Sequence, residues 1–335
     1  MKAARVRHPA GLDHIDIVDI ADPGAPGPGE IRVKLHASSL NFHDLAVVLG
    51  LMHTADGRIP MSDGAGVVEA IGSGVNEFKP GDHVVSTFFP HWLDGEPRIA
   101  GFSTTPGDGV DGYAREAVVC SASCFTHAPH GYSHAEAATL TTAGLTAWRA
   151  LVVNGRLKAG DTVLLLGTGG VSTFALQFAK AMGATVLITS SSDTKLERAR
   201  QLGADHTINY RDQPQWAHRV REITDGQGVD HVVEVGGAGT LAQSIDAARI
   251  GGHIALIGVL TGAVGPVPTA ALMARQLRLH GLIVGSRQHQ LELVRAINAT
   301  GVRPVIDQSF ALDDIGEAFR LQQQAGHFGK ICLEL

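Results

Sequence analysis

The residues with the clearest chemical meaning are the glycines of a short turn that follows an apolar run. Val163–Leu166 is apolar, Gly167–Ser172 reads Gly-Thr-Gly-Gly-Val-Ser, and a helical pattern and a second apolar run come next. This order predicts a strand, a glycine turn, a helix and a strand, the unit that binds a dinucleotide pyrophosphate. Gly167 allows the tight turn, Gly169 lets backbone N–H groups approach the phosphates, and the helix N-terminus faces them. Ser172 stands where a third Gly or Ala is usual, so we expect slightly looser packing there.

The end of the second strand indicates which dinucleotide binds. A site that prefers NAD usually places Asp or Glu about 20 residues on, where it accepts the ribose 2′-hydroxyl. Here the strand ends in Ser190–Ser192 and Lys195 follows, so hydroxyls and a cation are available for a 2′-phosphate and no carboxylate repels it. The first acid, Asp193, lies at a predicted helix start, where Thr194 and Glu197 have the spacing of a capping box. The sequence therefore favours NADPH.

Composition limits the class of protein. At 335 residues, two domains are expected, and an apolar content of 44% suffices for sizeable cores. A formal charge of -6 without a run of Lys or Arg argues against nucleic acid as the main partner. No long apolar stretch predicts a membrane span, the N-terminus has no apolar region typical of a signal peptide, and three cysteines cannot form a disulfide framework. We therefore expect a cytoplasmic protein that binds a small molecule and contacts no membrane.

The pattern of predicted strands, turns and helices changes along the chain. Up to about residue 125, short strands alternate with turns, at Glu30–Leu35, Ala65–Gly72, Asp82–Ser86 and Tyr113–Val119, which predicts a distorted β-barrel. From about Thr142 strands alternate with helices, which predicts a doubly wound parallel sheet with ligands at the carboxyl ends of its strands.

The predicted elements of the second part can be given individually. The strands are Val163–Leu166, Val186–Ile188, Thr207–Asn209, Val229–Val235, His253–Ile257 and Leu279–Val284, and the helices are Thr173–Met182, Lys195–Leu202, Pro214–Thr224 and Thr240–Arg249. The tail from Gln288 has a helix, a strand, a helix and a strand, and we expect it to rejoin the first domain.

At this point the chain resembles the medium-chain dehydrogenase/reductase superfamily, and within it the zinc-free branch that is similar to quinone oxidoreductases and alcohol dehydrogenases. The matching segments cover nearly the full length: Leu40–Asp44, Ser62–Val68, Ala143–Trp148, Gly167–Ser172, Val284–Arg287 and His327–Lys330. The resemblance implies an α/β fold with a GroES-like β-barrel catalytic domain (1–143 and 286–335) and a Rossmann domain (144–285). It also implies an active site in the cleft between the domains and a homodimer.

Zinc is the main chemical question that the resemblance raises. Zinc-dependent relatives hold the metal with Cys, His and Cys or acid side chains and leave one position open to polarise the alcohol oxygen. Here the first cysteine position is Asn41, the Gly-His-Glu motif reads Met61-Ser62-Asp63, and the second cysteine position is Thr142. Only Asp44 and Asp63 remain as hard ligands, and residues 91–112 contain none of the four cysteines of the structural zinc lobe. We therefore expect no bound metal.

Without a Lewis acid, reduction of a quinone or of a conjugated enal or enone is easier than oxidation of an alcohol, because such an acceptor delocalises the incoming charge itself. The protein then has to hold the nicotinamide near the acceptor carbon and supply hydrogen-bond donors to the carbonyl. Many relatives of the zinc-free branch use a tyrosine from the segment that corresponds to residues 45–60, which contains none here. His43 or His53, or a water molecule, is the alternative donor. The catalytic candidates are Asn41, His43, Asp44 and Thr146.

The other site residues are expected from their positions in the resemblance. The glycines that follow the fourth and fifth strands permit close approach to the ribose and nicotinamide, Tyr210 is placed to meet the adenine or its phosphate, and the segments near 285 and 329 are placed to close over the cofactor. The expected cofactor contacts are Gly167, Thr168, Gly169, Gly170, Val171, Ser190, Ser191, Lys195, Tyr210, Gly236, Ile257, Gly258, Val284, Ser286, Arg287 and Lys330.

Three functions remain open from the sequence. The first is a zinc-independent, NADPH-dependent reductase of quinones, enals or enones. The second is an NAD(P)-dependent alcohol or aldehyde oxidoreductase with an unusual set of donors, and the third is a non-catalytic dinucleotide-binding protein of the same fold. In each case we expect a homodimer joined through the β-prone run Leu279–Val284, because a long exposed edge strand is a liability unless it is paired.

Overall fold

The computed structural model describes residues 1–99 and 101–335. Strands β1 to β15 span Lys2–Val6, Ile15–Asp19, Glu30–Ser39, Ala65–Ile71, His83–Ser86, Ala117–Ser121, Phe125–His127, Thr162–Leu166, Thr185–Ser190, His206–Asn209, Val229–Glu234, Ala248–Leu256, Arg278–Gly281, Ile306–Ala311 and Lys330–Glu334. Helices α1 to α10 span Phe42–Val48, His134–Ala138, Leu145–Trp148, Gly170–Ala181, Asp193–Gln201, Trp216–Ile223, Leu241–Ala247, Thr269–Ala274, Arg287–Thr300 and Ile315–Gln323. Leu140–Gly144 and Arg149–Asn154 form π-helical turns, and Ala122–Cys124 and Leu312–Asp314 form 3-10 turns.

The chain divides into two compact units. The first consists of Met1–Leu145 with Val284–Leu335, and the second is Thr146–Ile283. The predicted boundaries, 143/144 and 285/286, lie two residues from these positions. Within the described residues, no helix is long and apolar enough to cross a bilayer.

The second unit is a doubly wound parallel sheet, as predicted. Its six strands lie in the order β10-β9-β8-β11-β12-β13, and every neighbouring pair is parallel. Val163, Leu164 and Leu165 of β8 are fully buried, because helices cover both faces of such a sheet. The last strand is shorter than predicted: β13 ends at Gly281, and all four of its residues pair with β12.

The first unit is built on a mixed seven-stranded sheet. Six strands follow the order β14-β15-β3-β4-β5-β7, and β6 pairs with the long strand β3. The C-terminal strand β15 runs antiparallel to β3, with Cys332 opposite Ser39, so the tail is part of this unit. Its core contains Val33, Leu35, Phe125 and Phe319, all fully buried.

Two predicted elements have different limits in the structure. The strand predicted at Tyr113–Val119 begins only at Ala117, because the backbone N–H groups of Tyr113 and Ala114 bond to Met61 and Pro60 in a bend. The helix predicted to reach Arg249 ends at Ala247, and β12 begins at Ala248 instead of His253. Gly251 and Gly252 lie inside this strand, where Gly251 has a φ of 72° at an irregular register.

Three neighbouring strands of the second unit carry histidines side by side. His253 on β12 is 1% exposed, pairs in register with His231 of β11, and lies 6.4 Å from the ring of His280 on β13. Neither ring nitrogen of His253 has a hydrogen-bond partner within the described residues. Burial, together with the neighbouring His231 and Arg278, lowers the pKa of His253 to about 3.

Acid should therefore destabilise this unit. The unfolded chain accepts a proton at His253 near pH 6.5 and the folded chain does not, so stability is complete above pH 6.5 and decreases toward pH 3. Between pH 7 and pH 5, we expect this residue alone to reduce the free energy of unfolding by about 2 kcal/mol. His253→Leu should remove that part of the pH dependence in urea unfolding curves. The exposed His218→Leu variant should keep the parent's dependence, and equal slopes in all three proteins would contradict the assignment.

Candidate active site

The turn between β3 and α1 carries three of the four catalytic candidates. Asn41 caps α1, and the Asp44 carboxylate accepts hydrogen bonds from the Asn41 backbone N–H (2.9 Å) and side-chain amide (3.1 Å). The same carboxylate accepts two more from Ser62, from its backbone N–H at 2.8 Å and its hydroxyl at 3.0 Å. Asp44 is 1% exposed. Its four bonds hold the turn in shape, and a direct part for Asp44 in the reaction stays a prediction.

Four residues from distant segments meet beside this turn, and we call Asn41, Asp63, Thr142 and Lys330 the buried polar centre. Asp63 is fully buried and accepts hydrogen bonds from Thr142 Oγ1 at 2.6 Å and from the hydroxyl of Ser39 at 2.5 Å. Lys330 donates to the carbonyl of Leu40 and, at 2.6 Å, to Asn41 Oδ1. Thr142 is half-buried, whereas the other three members of the centre are buried.

The strand pairing places Lys330 in the centre. Lys330 is the first residue of β15, which lies against the end of β3, and the N–H of Leu40 bonds to the carbonyl of Ile331. The Lys330 side chain is 3% exposed, and Nζ lies 3.8 Å from an Asp63 oxygen. Burial lowers the pKa of this ammonium group, and Asp63 opposes the change. Burial raises the pKa of Asp63 to about 6, against the effect of Lys330.

Lys330 takes part in the buried polar centre, a role that the sequence did not suggest. The sequence suggested a contact with the cofactor, and the amino group lies against Leu40, Asn41 and Asp63. A contact between Lys330 and the cofactor stays a prediction.

The same positions do not fit a zinc ion. Asn41, Ser62 and Thr142 offer an amide and two hydroxyls where thiolates and imidazole are needed, and the ammonium group of Lys330 is bonded to one of them. Across residues 1–99 and 101–335, no three His, Cys, Asp or Glu side chains come together in a way that would hold a metal. The absence of zinc from the protein stays a prediction.

His43 lies on α1 outside the buried polar centre and is paired with a residue far away in sequence. Its Nε2 lies 3.4 Å from Asp108 Oδ2, and the two side chains are 13% and 9% exposed. The rings of Phe88 and Phe102 pack against the imidazole at centroid distances of 5.4 and 4.7 Å. Asp108 was not a candidate, because it lies 65 positions after His43 and outside the segments that carry the family resemblance.

The remaining candidates of the first unit lie at the start of α9. Ser286 caps this helix by accepting from the N–H of His289, and the preceding Val284 has a φ of 45°. Arg287 is bonded to the carbonyl of Phe125 and to Glu77. The fourth catalytic candidate, Thr146, is 2% exposed and belongs to the second unit. Contacts of these residues with cofactor or substrate stay predictions.

The glycine turn has the form that a dinucleotide needs. Gly167 has a φ of 71°, which favours glycine, whereas Gly169 has an ordinary φ of -79°. A Cβ added at Gly169 would meet no protein atom within 4 Å, so the protein itself does not require glycine there. No described side chain caps α4, whose first N–H groups point out of the helix. These features fit a pyrophosphate held by Thr168, Gly169, Gly170 and Val171.

Ser172 does not loosen the packing in the way that the sequence suggested. Its side chain is 1% exposed, and its hydroxyl donates to the carbonyl of Leu166 at 2.7 Å. A serine is accommodated here because this bond ties the first turn of α4 to the end of β8.

The strand end that should select the nucleotide carries hydroxyls, as the sequence indicated. Ser190 is 4% exposed and accepts from the N–H of Ser192, while Ser191 and Lys195 are half-buried. Ser192 caps α5, so the predicted capping box of Thr194 and Glu197 does not form. Tyr210 follows β10, is 42% exposed, and donates its backbone N–H to the carbonyl of Ser190.

A buried carboxylate shapes the neighbouring loops. Glu234, at the end of β11, is fully buried and accepts hydrogen bonds from the N–H groups of Gly236 (2.7 Å) and Gly237 (3.0 Å) and from the hydroxyl of Thr240 (2.7 Å). Its carbonyl accepts from the N–H of Ile257 at 2.8 Å. A Cβ at Gly258 would lie 2.1 Å from the carbonyl oxygen of Val235, so only glycine fits there. These loops therefore lie at the carboxyl edge of the sheet together with the glycine turn.

Comparison with known proteins agrees with this arrangement. A family model described as an alcohol dehydrogenase GroES-like domain matches residues 27–130, and one described as a zinc-binding dehydrogenase matches residues 170–300. A zinc-type alcohol dehydrogenase-like protein of Schizosaccharomyces pombe is 41% identical over 97% of this chain and 96% of its own length. The chain belongs to the medium-chain dehydrogenase/reductase superfamily. It is therefore similar to alcohol dehydrogenases and belongs to a family of oxidoreductases that bind a nicotinamide dinucleotide.

Solved structures of the superfamily superpose over the whole chain. A Sinorhizobium meliloti protein assigned as an alcohol dehydrogenase has a TM-score of 0.92 at 40% identity, covering 100% of this chain and 98% of that one. An NAD-dependent alcohol dehydrogenase has a TM-score of 0.91 at 34% identity, with both chains fully covered. A crotonyl-CoA carboxylase/reductase in complex with NADP has a TM-score of 0.88 at 26% identity, covering 100% of this chain and 94% of that one. A quinone oxidoreductase of Pseudomonas syringae has a TM-score of 0.83 at 28% identity, covering 100% of this chain and 99% of that one.

The contribution of the buried polar centre to stability can be tested by replacing Lys330. Lys330→Met leaves the Asp63 carboxylate buried without its cation, so we expect the free energy of unfolding to decrease by about 3–5 kcal/mol in urea titrations. The double variant Lys330→Met/Asp63→Asn should recover part of this loss, because no uncompensated charge remains. Lys34→Met, at an exposed position of β3 in the same unit, is the matched control and should leave stability unchanged within about 0.5 kcal/mol. A Lys330→Met protein as stable as this control would show that the pair does not hold the centre together.

Proposed function

We propose that this chain is an NADPH-dependent, zinc-independent oxidoreductase that transfers hydride to a quinone or to a conjugated enal or enone. The observation that carries the proposal is the buried polar centre, in which Lys330 and three uncharged or acidic side chains stand where a metal would otherwise polarise an alcohol. Because this centre offers no metal to stabilise charge on the substrate oxygen, the substrate that we propose is an acceptor that delocalises the incoming charge by conjugation.

The preference for NADPH rests on the end of β9. Ser190 and Ser191 present hydroxyls, and the N-terminal turn of α5 adds the cation of Lys195. The first acid, Asp193, accepts a hydrogen bond from the side chain of Asn209 at 2.9 Å, so it is engaged by a neighbouring strand end. Among the similar structures, one is named for NAD and another was solved with NADP, so the residues of this chain decide the proposal.

His43 is the donor that we assign to the substrate oxygen. When bound, the reduced dinucleotide supplies a hydride to the acceptor carbon. Negative charge then develops on the conjugated oxygen, and an N–H donor directed at it stabilises that charge, more strongly where water is excluded. His43 is held between two aromatic rings and beside a carboxylate, which fixes the plane of its imidazole. Asn41 and Asp44 then act by holding the turn from which His43 projects.

An alcohol or aldehyde oxidoreductase is the second candidate. It is favoured by the names of the Schizosaccharomyces pombe relative and of the Sinorhizobium meliloti structure. In that reaction the same His43 and Asp108 would take up the proton of the alcohol. Activity with simple alcohols distinguishes this function from the first.

We also propose that the protein works in the cytoplasm as a homodimer. The support comes from β13, which is the outermost strand of the parallel sheet and has one free edge within the described residues. Ile283 is 52% exposed directly after this strand, and Val264 and Met273 are 93% and 75% exposed in the same unit. Pairing of two such edges would cover apolar surface and extend the sheet.

Replacing the serine at the end of β9 tests the cofactor. We expect the parent to bind NADPH more tightly than NADH by an amount on the order of 2–4 kcal/mol at most, from one or two charge-assisted contacts. Ser190→Asp should weaken NADPH and spare or improve NADH, as measured by fluorescence titration. Ser73→Asp, at an exposed turn of the other unit, should change neither affinity. Equal affinities in the parent that Ser190→Asp does not alter would refute the assignment.

The reaction is tested by following NADPH consumption with a panel of quinones, enals, enones, aldehydes and simple alcohols, alongside metal analysis of the purified protein. On the best conjugated substrate, His43→Ala should lower turnover by about 10²-fold and leave NADPH affinity nearly unchanged. His130→Ala, at an exposed loop, should retain the parent's turnover. Unaltered turnover in His43→Ala would remove this residue from the mechanism. Oxidation of simple alcohols with inert quinones and enones, or one essential zinc per chain, would overturn the proposed function.

A further inference from the structure

Two of the three cysteines of the chain lie next to each other, and the function proposed above uses neither of them. Cys120 belongs to β6, and Cys124 ends the 3-10 turn that follows, four positions on. Their thiols contact each other, with the Cys120 thiol donating a hydrogen bond to the sulfur of Cys124. Both residues are half-buried at the edge of the apolar core of the first unit. The pair therefore has the contact between sulfur atoms that oxidation to a disulfide requires.

The backbone holds both cysteines in fixed positions. Cys120 pairs with Ile31 in the antiparallel ladder of β6 and β3. The carbonyl of Cys124 accepts hydrogen bonds from the backbone N–H of Thr87 at 2.8 Å and from its hydroxyl at 3.2 Å. Between the two cysteines, the side chain of Ser121 caps the turn. Because the thiols already meet, a bond between them requires rotation of the side chains and no movement of a strand.

The two thiols differ in how easily each loses its proton. The hydrogen bond from Cys120 and the positive charge of Arg287 lower the pKa of Cys124, whereas burial and the nearby Glu30 oppose this change. The guanidinium of Arg287 is held in place by the carbonyl of Phe125, the residue after Cys124, to which it donates at 3.0 and 3.2 Å. The hydrogen bond to Cys124 and burial raise the pKa of Cys120 well above its ordinary value. Cys124 is therefore the more readily ionised and more reactive thiol of the pair.

A cysteine at the edge of a core is often only a small apolar side chain. Cys332 is such a residue in this chain, because it is fully buried and burial raises the pKa of its thiol to about 12. Cys120 and Cys124 differ from it in that they touch each other, keep part of their surface in solvent and include one thiol whose pKa is lowered. These properties are typical of redox-sensing cysteines, in which a second thiol lies beside the reactive one.

We propose that Cys124 and Cys120 form a site of reversible oxidation, at which hydrogen peroxide converts the pair into an intrachain disulfide. The Cys124 thiolate attacks one oxygen of the peroxide, the O–O bond breaks and hydroxide leaves, so that Cys124 becomes a sulfenic acid. The sulfur of Cys120 then attacks the sulfur of Cys124, the S–O bond breaks, and the thiol proton and the leaving hydroxide form water. The two sulfurs together lose two electrons, and the peroxide becomes two molecules of water. A dithiol reductant reverses the bond. The site does not depend on the substrate of the proposed function.

Peptide mass spectrometry can locate the bond, because no Lys or Arg lies between Arg115 and Arg149. Trypsin therefore releases both cysteines of the pair in peptide 116–149 and Cys332 in peptide 331–335. The full-length protein is treated briefly with a small excess of hydrogen peroxide, unfolded and alkylated. We expect peptide 116–149 to be lighter by two hydrogens and to carry no alkyl group, whereas Cys332 is fully alkylated. Dithiothreitol given before alkylation should restore an alkyl group on each cysteine of the pair.

Alkylation of the native protein and three variants test the two roles. Cys124 should react with iodoacetamide at least about tenfold faster than Cys120, with a pH inflection below the ordinary thiol value. Arg287→Gln should slow Cys124 severalfold, and Arg295→Gln, at an exposed position of the same helix α9, should not. In Cys120→Ser the hydroxyl keeps a donor but no second thiol is present, so peroxide should leave a sulfenic acid on Cys124 that dimedone traps. Circular dichroism reports whether each variant is folded.

The peptide and alkylation measurements on the parent decide the proposal even where a variant does not fold. Equal alkylation rates of Cys124 and Cys332, or full alkylation of all three cysteines after peroxide, would show that the pair is ordinary core packing. A disulfide between two chains, or a sulfinic acid on Cys124 with Cys120 still reduced, would remove Cys120 as the second thiol. Faster alkylation of Cys120 than of Cys124 would overturn the assignment of the reactive sulfur.

Discussion

The first unit is organised around one buried positive charge. The ammonium group of Lys330 lies against the Leu40 carbonyl, the Asn41 amide oxygen and the Asp63 carboxylate, and its side chain is 3% exposed. A buried ion is tolerated only when its partners are fixed in space, because desolvation is otherwise not offset. The start of β15, the turn after β3 and the residues before β4 are consequently held in one relative position, and that turn carries His43.

A lysine at this place limits the chemistry differently from a metal ion. A metal keeps a coordination position open for substrate, whereas the ammonium group here donates two hydrogen bonds to oxygens of the protein and lies 3.8 Å from a third oxygen, of Asp63. It stabilises the ionised form of Asp63 and is itself buried. Stabilisation of a charged substrate oxygen then depends on donors at the rim of the unit. This division between a charge that shapes the site and a donor that meets the substrate is consistent with an acceptor that delocalises charge itself.

Local sequence patterns predicted the fold well, but they could not predict the long-range contacts in the candidate site. The parallel strands, the glycine turn and the return of the tail follow from apolar runs and glycines whose effect is local, and their limits were right within a few residues for most elements. The strand β12 was misjudged because Gly251 and Gly252 indicate a turn in isolation, although pairing with β11 carries the strand through them. The contacts of Asp108 and Lys330 with the turn after β3 were missed, because only tertiary packing brings either of them to it. Motif spacing contains no information on such contacts.

The bare N-terminus of α4 links nucleotide binding to the stability of the second unit. A side chain satisfies the first N–H groups of some helices of this chain, as Ser192 does for α5 and Ser286 for α9. At Gly169 no described side chain takes that part, so the phosphates of a ligand are the natural partners of these groups. Ligand that binds only the folded form raises the midpoint of thermal unfolding with its concentration. We therefore expect the concentration of the nucleotide to set the thermal stability of the second unit as well as the rate of turnover.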